Sequence, residues 1–527
     1  MKQRVLESLR KYVDEQIVLE KPKEKKFGHF ATPIAFSLAK KYRKNPMIIA
    51  QELADDIAKE DLFEKVEAIK GYVNLKLSGK FLDGYATSVL TQPELFGKDE
   101  GNGSILLEFV SANPTGPLHI GHARGAVWGD VFARVGKHLG YEVVKEYYLN
   151  DAGKQVTLLG VSIACAAKDI LGIAYELPSE YYRGEYIKDV AKEAVQEFSE
   201  EFFADEIDLE RLSSWGVAKM VAVIKQNLKD ANIEFDNFVS EKELFQRWDA
   251  THQDLLKTKA LYEKEGKQWL NSTAKGDELD RVVVREDGTP TYLAGDIIYH
   301  DDKFKRGYDR YINIWGADHH GYIARVKASV EYLGHDAKHL EIILSQMVSL
   351  LQDGMQYKMS KRSGNFILMS DVIEDIGSDA LRFLFVSKKC DTHLEFDVAS
   401  LKVQDSSNPN FYINYAHARV HSLFKKADKT FDDVVKSDLG ALDQEGLDLL
   451  FYALLLPEVL VDAFHHRQMQ KITDYLYELS SQMHSYYNKT KVIGSKDEDA
   501  LLKLFALCAT TVKVGMSLLG IKVKNSM

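Results

Sequence analysis

The central part of the chain alternates between strand-like and helix-like hydrophobic patterns. Residues 105–110 form an apolar run typical of a buried strand, residues 121–139 follow a helical repeat, and residues 142–149 again form a strand. Strand, helix and strand in this order predict a right-handed βαβ unit and a parallel sheet. The charged, helical pattern of residues 155–280 predicts an insertion into that sheet. The strand pattern then resumes over residues 282–284, 311–315 and 340–344.

The two flanks differ from this centre. Near the N-terminus, helical patterns are followed by strand-like alternation over residues 71–77. Beyond residue 410 the pattern is purely helical. The α/β fold predicted from these patterns has four parts: a small α/β domain (1–91), a linker (92–104), a Rossmann-type parallel-sheet domain with a helical insertion at about 155–280 (105–395), and an all-α bundle (396–527).

Size, charge and cysteine content narrow the class of protein. A chain of 527 residues is too long for one hydrophobic core, so about three domains are expected. The net charge of −11 argues against a protein that coats a polyanion, although a local basic surface can still bind nucleic acid. Cys165, Cys390 and Cys508 are isolated, so we expect neither a thiolate zinc site nor a disulfide framework.

Two segments bear on contact with membranes. The first 20 residues mix acidic and basic side chains and lack the apolar run of a signal peptide. Residues 501–519 are the most apolar stretch, but Lys503 and Lys513 interrupt it, which predicts a buried helix rather than a membrane span. We therefore expect a cytoplasmic protein without membrane contact.

The segment from Ala112 to His122 joins the first predicted strand to the following helix. A helix start presents unpaired N–H groups and partial positive charge, which suit a phosphate. His119 and His122 project from one side of this first turn, and Gly121 between them leaves room for a flat ring. Pro117 stiffens the approach. Two histidines at this spacing are usually ordinary loop residues, so the interpretation depends on the rest of the chain.

A second cluster downstream favours a catalytic role for the two histidines. It reads Lys358-Met359-Ser360-Lys361 and runs on into a polar, glycine-containing loop. Attack on the α-phosphate of ATP builds negative charge that fixed cations stabilise, and a carboxylate nucleophile needs no protein base. The alternative is a solvated charge run. Together the clusters predict an adenylating enzyme with His119, His122, Lys358 and Lys361 as catalytic residues. Its predicted ATP-binding residues are Pro117, His119, Gly121, His122, Met359, Ser360 and Lys361.

These two clusters resemble the HIGH and KMSKS motifs of class I aminoacyl-tRNA synthetases, and nearly the whole chain resembles the arginyl-tRNA synthetases. Four further stretches carry the likeness: Glu108-Phe109-Val110-Ser111-Ala112-Asn113, Asn150-Asp151-Ala152-Gly153-Lys154-Gln155, Asp379-Ala380-Leu381-Arg382 and Gly71-Tyr72-Val73-Asn74. The last belongs to an added N-terminal domain that other class I synthetases lack. The third names the helical anticodon-binding (DALR) domain, which residues 396–527 would form.

The resemblance implies a pocket for arginine. A guanidinium group is permanently charged and needs carboxylate acceptors. The resemblance places Glu108, Tyr292 and Asp296 at the guanidinium, and Ser111, Asn113 and His122 at the ammonium and carboxylate ends. Asp318 and His320 would form a further part of the pocket. From the sequence alone, Glu108 could equally pair with an internal arginine, and the His319-His320 pair lacks a third ligand for a metal site.

Contacts with tRNA are expected at two places. Tyr412, Tyr415 and Arg419 recur on one helix face and suit the stacking of unpaired bases, with core packing as the alternative. Tyr72 and Asn74 resemble the reader of a D-loop base, and strand alternation places them on one face.

The resemblance therefore implies an arginine-tRNA ligase acting on L-arginine, ATP with Mg²⁺ and tRNA(Arg), as a monomer and with no protein-ligated metal. It further implies that adenylate formation waits for tRNA. Two alternatives remain at this stage: a cysteinyl or methionyl synthetase, and a catalytically inactive paralogue that binds tRNA. The absent zinc cysteines and the added N-terminal domain argue against the first, and the intact clusters argue against the second.

Overall fold

The computed structural model describes residues 1–204, 207–357 and 366–527. Its N-terminal part is a three-stranded antiparallel sheet of order β1-β3-β2, with helices packed against it. The elements here are α1 (Lys2–Leu9), β1 (Phe30–Thr32), α2 (Ile34–Tyr42), α3 (Pro46–Ile57), β2 (Phe63–Ile69), β3 (Tyr72–Leu77) and α4 (Gly79–Thr91).

The centre is built on a five-stranded sheet with helices on its faces. Its elements are β4 (Ser104–Glu108), α5 (Ile120–His138), β5 (Glu142–Leu149), α6 (Lys154–Leu171), α7 (Glu185–Glu197), α8 (Glu200–Ala204), α9 (Leu209–Asp230), β6 (Asn237–Ser240), α10 (Glu241–Leu244), α11 (Trp248–Lys257), β7 (Leu261–Lys264), β8 (Lys267–Leu270), β9 (Arg281–Val284), α12 (Tyr292–Lys305), β10 (Arg310–Gly316), α13 (Ile323–Tyr332) and β11 (Leu340–Ser345). A smaller unit follows, with β12 (Val348–Gln352), β13 (Met355–Gln356), α14 (Met369–Ile376), α15 (Ser378–Val386), β14 (Leu394–Asp397) and α16 (Val398–Lys402).

The order of the five strands shows where a ligand belongs. The sheet runs β11-β10-β4-β5-β6 and every pairing in it is parallel, as the βαβ pattern predicted. The winding direction reverses between β4 and β10. In open parallel sheets, ligands bind outside the carboxyl ends of the strands at such a reversal. The loops after β4 and β10 are therefore expected to hold the ligand.

The region predicted as a helical insertion is more varied than its pattern indicated. It contains β6, which is the edge strand of the parallel sheet, and also β7 and β8. The strand predicted over residues 282–284 forms as β9, but it pairs with β8 in a separate antiparallel sheet rather than rejoining the parallel one. Each of these strands has only four residues. Segments this short carry too few alternations to reveal their partners.

The C-terminal part is helical. It comprises α17 (Pro409–Ala427), α18 (Phe431–Val434), α19 (Gln444–Ala453), α20 (Leu456–His465), α21 (Gln470–Lys489) and α22 (Glu498–Leu518). Within the described residues, α22 is long and apolar enough to cross a membrane, but 83% of its most apolar window is buried against the other helices. The prediction of a buried helix at this position is confirmed.

Candidate active site

The histidine turn lies where the sheet topology predicts a site. Backbone hydrogen bonds pair it with the segment that follows the lysine cluster: Ile120 N–H donates to the Ile367 carbonyl, and Met369 N–H donates to the Leu118 carbonyl, each at 2.9 Å. Lys358, Met359, Ser360 and Lys361 themselves lie outside the described residues. The described chain resumes at residue 366, and its bonds to Leu118 and Ile120 hold it against the histidine turn.

Both histidines of the turn are neutral at physiological pH. Their rings stack with centroids 3.6 Å apart. Burial and the neighbouring His119 lower the pKa of His122 to about 3, and burial also lowers the pKa of His119. The Gly121 N–H donates to His119 Nδ1 at 3.1 Å, so a neutral His119 carries its hydrogen on Nε2. Each ring can thus donate one hydrogen bond without adding positive charge.

Gly121 has a local role that the sequence did not reveal. A Cβ atom at this position would lie 2.9 Å from the His119 ring. The missing side chain makes room for the protein's own imidazole. Pro117 is half-buried just before the turn, and His122 Nδ1 is buried without a hydrogen-bond partner among the described residues. The His122 ring can therefore accept or donate a further bond when a substrate arrives.

An acidic cluster lies beside the carboxyl ends of β4 and β5. Burial, and then the charge of Glu108, raise the pKa of Asp296 to about 7. Burial, and then the charge of Asp296, raise the pKa of Glu241 to about 7. The pKa of Tyr148 is also raised, by burial and by the same three carboxylates. Carboxylates that disfavour each other's charge at this density form a site for a cation.

Glu241 was missed in the sequence, and the structure shows how it enters this cluster. Asp151 positions it: the Asp151 carboxylate accepts hydrogen bonds from Ser240 Oγ at 2.7 Å and Lys242 N at 2.9 Å. A Cβ atom at Gly295 would lie 2.5 Å from Glu241 Oε1, so only glycine lets this carboxylate lie against α12 beside Asp296. Glu241 Oε2 is buried without a partner among the described residues.

Glu108 has an internal partner, but it is a lysine rather than the arginine considered from the sequence. Lys303 Nζ lies 2.5 Å from Glu108 Oε2, and Ser111 Oγ donates to Glu108 Oε1 at 2.9 Å. Glu108 and Lys303 are both buried. Both oxygens of the predicted guanidinium acceptor therefore already accept hydrogen bonds from the protein.

Two other residues predicted to contact arginine, Asn113 and Tyr292, differ in their surroundings. Asn113 Nδ2 donates to Gln155 Oε1 at 2.5 Å, which fixes its amide near the start of α6. Tyr292 begins α12 one turn before Asp296, and its ring is 53% exposed. The Tyr292 hydroxyl lies 3.7 Å from where a Cβ of Gly153 would stand.

Asp318 and His320, predicted to form a further part of the pocket, lie just beyond the carboxyl end of β10. They belong to a short 3-10 turn, Ala317–Tyr322, which starts immediately after that strand. Both side chains are exposed, and the Asp318 carboxylate lies 3.6 Å from His319. They stand where the winding of the sheet reverses, and their role in the pocket stays a prediction.

The predicted base-stacking face on α17 is joined to α21. Tyr412 and Tyr415 lie 4.7 Å and 5.3 Å from the ring of His484, and the Arg419 guanidinium stacks on Tyr487 at 4.0 Å. Tyr415 is 40% exposed, whereas Arg419 also donates to Asn488 Oδ1 at 2.7 Å. Tyr415 is therefore accessible to a base, and Arg419 is partly engaged in holding the two helices together.

On the N-terminal sheet the two residues predicted to contact tRNA, Tyr72 and Asn74, differ in exposure. Tyr72 is exposed, and an aromatic neighbour that the sequence did not reveal, Phe36, lies edge-on at 5.6 Å and is also exposed. Asn74 is buried, and its amide donates to the Glu67 carbonyl at 3.4 Å. Tyr72 is thus accessible to a base, whereas Asn74 is covered in the free protein and its contact with tRNA stays a prediction.

Comparison with known proteins covers every part of the chain described above. Sequence models described as "Arginyl tRNA synthetase N terminal domain", "tRNA synthetases class I (R), catalytic domain" and "DALR anticodon binding domain" match residues 1–77, 86–399 and 413–527. Proteins named arginine–tRNA ligase from Nitratiruptor sp. and Campylobacter jejuni are 61% and 56% identical, each match covering 100% of both chains.

Solved structures support the same relationship. A structure described as a putative arginyl-tRNA synthetase from Campylobacter jejuni has a TM-score of 0.83 at 57% identity, covering 86% of this chain and 100% of its own. The arginyl-tRNA synthetase of Thermus thermophilus shares the fold, with a TM-score of 0.76 at 21% identity over 100% of both chains. The chain therefore belongs to the arginyl-tRNA synthetase family of class I synthetases, the enzymes that charge tRNA with arginine.

Proposed function

We propose that the enzyme forms arginyl-tRNA(Arg) in two steps at the carboxyl edge of the parallel sheet. The carboxylate of arginine attacks the α-phosphorus of ATP, the bond to the β-phosphate oxygen breaks, and pyrophosphate leaves. A hydroxyl of the terminal ribose of tRNA then attacks the arginyl carbonyl, releasing AMP and a proton. The observation that carries this proposal is that the chain leaving the carboxyl end of β4 supplies both parts of the site, where the winding of the sheet reverses: Glu108 of the acidic cluster ends that strand, and the two stacked histidines begin the helix that follows it.

We assign the phosphate end of the reaction to the two motif clusters. His119 and His122 donate hydrogen bonds to ATP, and Lys358 and Lys361 supply the cations that stabilise the departing pyrophosphate. Pro117, Gly121, Met359 and Ser360 complete the ATP site. Magnesium enters as part of the MgATP substrate and is held mainly by phosphate and water.

We assign the guanidinium of arginine to Asp296 and Glu241. Two carboxylates side by side match the planar fork of donors, and the resident Lys303 leaves Glu108 occupied. Tyr292 covers the pocket from its exposed side. Ser111, Asn113 and His122 serve the ammonium and carboxylate ends.

We further propose that tRNA lies across Tyr72 and Phe36 on the N-terminal sheet and across Tyr412, Tyr415 and Arg419 on the helical bundle. The domain limits inferred from the sequence, a monomeric state and a cytoplasmic location are part of the same proposal.

Pyrophosphate exchange into ATP tests the proposed chemistry. Purified enzyme is given each of the twenty amino acids in turn, with and without bulk tRNA. We expect exchange with arginine alone and, from the family resemblance, only when tRNA is present. Exchange supported by another amino acid would contradict the assignment of the acidic cluster, and folded enzyme without any exchange would contradict the adenylate step.

The raised pKa values of Asp296 and Glu241 predict that arginine binding depends on pH. In the empty pocket a carboxylate with a pKa of about 7 is largely protonated at pH 6, and guanidinium binding needs it ionised. Affinity should therefore increase as the pH rises, by roughly tenfold between pH 6 and pH 8 for one linked proton. Calorimetry in buffers of different ionisation enthalpy measures both the affinity and the proton release. The Asp296→Asn variant should lose most of this dependence.

Base stacking predicts a ring-specific effect at Tyr415. Tyr415→Ala should raise the KM for tRNA(Arg) by roughly tenfold, because stacking on an exposed aromatic contributes about 1–3 kcal/mol. Tyr415→Phe keeps the ring and is the matched control, which should stay within about twofold of the parent. Steady-state aminoacylation measures both variants. Equal losses in the two would point to the hydroxyl rather than to stacking.

A further inference from the structure

Arg124, on the helix of the histidine turn, is a buried cation that the proposed chemistry does not use. It follows His122 by two residues on α5 and is fully buried. Its guanidinium donates to three backbone carbonyls, of Thr392 at 2.5 Å, Lys389 at 2.6 Å and Gln346 at 3.3 Å. In the described part of the chain, none of its hydrogen bonds goes to a carboxylate. A buried charge needs partners, and here the planar fork of donors finds them in the backbone of two separate segments.

These carbonyls lie just before the two parallel strands of the small sheet formed by β12, β13 and β14. Gln346 precedes β12 by two residues, and Thr392 precedes β14 by two residues. The two strands pair in parallel from Val348 and Leu394 onward. Arg124 therefore holds the starting ends of both strands against α5.

The same small sheet carries the chain into the lysine cluster. β13 pairs antiparallel with β12, the Tyr357 N–H donates to a carbonyl of β12 at 2.9 Å, and Lys358 is the next residue in the sequence. Beyond the cluster, the chain is bonded directly to the histidine turn, and the Phe366 ring stacks on His119 with centroids 5.3 Å apart. The chain after the cluster is thus positioned by the histidine turn itself, and the chain before it by the sheet that Arg124 holds.

We propose that Arg124 is a positioning residue for the adenylation step. It fixes the small sheet against α5, and the sheet in turn presents Lys358 and Lys361 to the ATP that the two histidines bind. Arg124 itself is buried and does not touch a substrate. A displacement of about 1 Å in a group that acts on the transition state costs on the order of 10²-fold in rate. This inference rests on the proposed function, because it assumes that the two lysines stabilise the departing pyrophosphate.

Arg124→Lys tests this role, because an ammonium keeps the charge but cannot span the three carbonyls as the planar guanidinium does. Pyrophosphate exchange with arginine is measured with tRNA(Arg) present in every reaction. The kcat for exchange should fall at least tenfold. The KM for arginine should stay within about threefold of the parent value, since Asp296 and Glu241 lie on α12 and α10. An unchanged kcat would overturn the proposal.

Transfer from synthetic arginyl-adenylate to tRNA(Arg) provides a readout that a merely structural role would not separate. No pyrophosphate leaves in this step, so its single-turnover rate in Arg124→Lys should stay within about threefold of the parent rate. A parallel loss in both steps would mean that Arg124 supports the fold as a whole, and it would overturn the proposal. Arg467→Lys is the matched control, because Arg467 stacks on Phe132 of the same helix and bonds Glu341 on β11 instead of the small sheet. Its exchange kcat should stay within about twofold of the parent value.

A double-variant cycle separates this inference from the proposed function. Lys361→Ala alone should lower the kcat for exchange by roughly 10²–10³. If it does not, the assignment of the lysines and this inference fail together. If Arg124 acts through the lysine cluster, adding Arg124→Lys to Lys361→Ala should cost no more than about threefold further, because the effects of residues that act as a unit do not add. Full additivity of the two losses would overturn the role of Arg124 and leave the proposed function intact.

Discussion

Replacing Asp296 by asparagine should raise the KM for arginine roughly 10²-fold and leave the KM for ATP within about twofold. The asparagine side chain keeps the size of aspartate but loses its charge, and it points an N–H₂ group at the donors of the guanidinium. Removing one partner of a buried, hydrogen-bonded charge pair costs about 2–5 kcal/mol. At about 1.4 kcal/mol for each factor of ten, this cost corresponds to a loss between about 30-fold and about 4,000-fold, a range that contains the expected 10²-fold.

The position of Asp296 explains why only the KM for arginine should rise. Its pKa of about 7 reflects burial and the nearby Glu108, so the empty pocket disfavours its charge, and a cation that enters stabilises that charge. The backbone hydrogen bonds of the histidine turn run instead to Ile367 and Met369, so the KM for ATP should not depend on Asp296. Pyrophosphate exchange over a range of arginine and of ATP concentrations separates the two KM values.

A matched control lies on the same helix. Asp302 is paired with Arg306 at 3.3 Å and with Arg247, outside the acidic cluster. Asp302→Asn should leave the KM for arginine unchanged within about twofold, because a partly exposed ion pair contributes little. Glu241→Gln should reproduce the Asp296→Asn effect, and the double variant should be less than additive since both carboxylates bind one group. A similar rise in both KM values for Asp296→Asn would mean that the residue supports the fold instead.

Much of the architecture could be predicted because long elements repeat their pattern many times. The helix predicted over residues 121–139 is α5, Ile120–His138, and the strand predicted over 340–344 is β11, Leu340–Ser345. The strand predicted over 105–110 ends earlier, at Glu108, because Val110 turns to a left-handed conformation. The sequence carries no signal for that turn, since neither Val110 nor Ser111 is a residue that favours it.

The site contains contacts that local sequence patterns could not predict. Glu241 lies in a Ser-Glu-Lys-Glu run that is typical of an ordinary helix start, with Ser240 as its N-cap. It becomes a candidate only because Gly295 lets it approach Asp296. Similarly, the partner of Glu108 is 195 residues away, on a helix that a separate antiparallel sheet precedes. Contacts of this kind depend on the tertiary arrangement and not on any spacing in the sequence.

We expect Asp130→Asn to lower the free energy of unfolding more than any other substitution proposed above. Asp130 is fully buried on α5, and three cations reach its carboxylate: Arg382 Nη2 at 2.7 Å, Arg134 Nε at 2.6 Å and Lys145 Nζ at 3.0 Å. Burial opposes its charge, but these three cations together hold the pKa of Asp130 below its ordinary value. Neutralising the carboxylate leaves three cations facing an amide.

The contacts of Arg382 show why the loss of stability should extend beyond α5. Its guanidinium also donates to the Leu519 carbonyl at 2.7 Å, beyond the end of α22, and to the Ala231 carbonyl at 2.8 Å, beyond the end of α9. A Cβ at Gly520 would lie 2.2 Å from Arg382 Nη2, so the chain passes the guanidinium as closely as glycine permits. Asp130 and Arg382 thus join the helix of the histidine turn, the insertion and the end of the helical bundle.

Breaking one side of such a buried network costs about 3–5 kcal/mol, which should lower the thermal midpoint of a chain of 527 residues by about 3–5 °C. Asp56→Asn, which breaks only an exposed pair with Lys59, is the control and should shift the midpoint by about 1 °C at most. Because the lowered pKa of Asp130 adds stability above the ordinary aspartate pKa, the parent should lose that advantage as the pH falls through the lowered value, and the two proteins should converge there. Scanning fluorimetry from pH 7 downward measures both effects. An unchanged midpoint at pH 7 would contradict the prediction, because it would show that the ion pairs of Asp130 add no net stability.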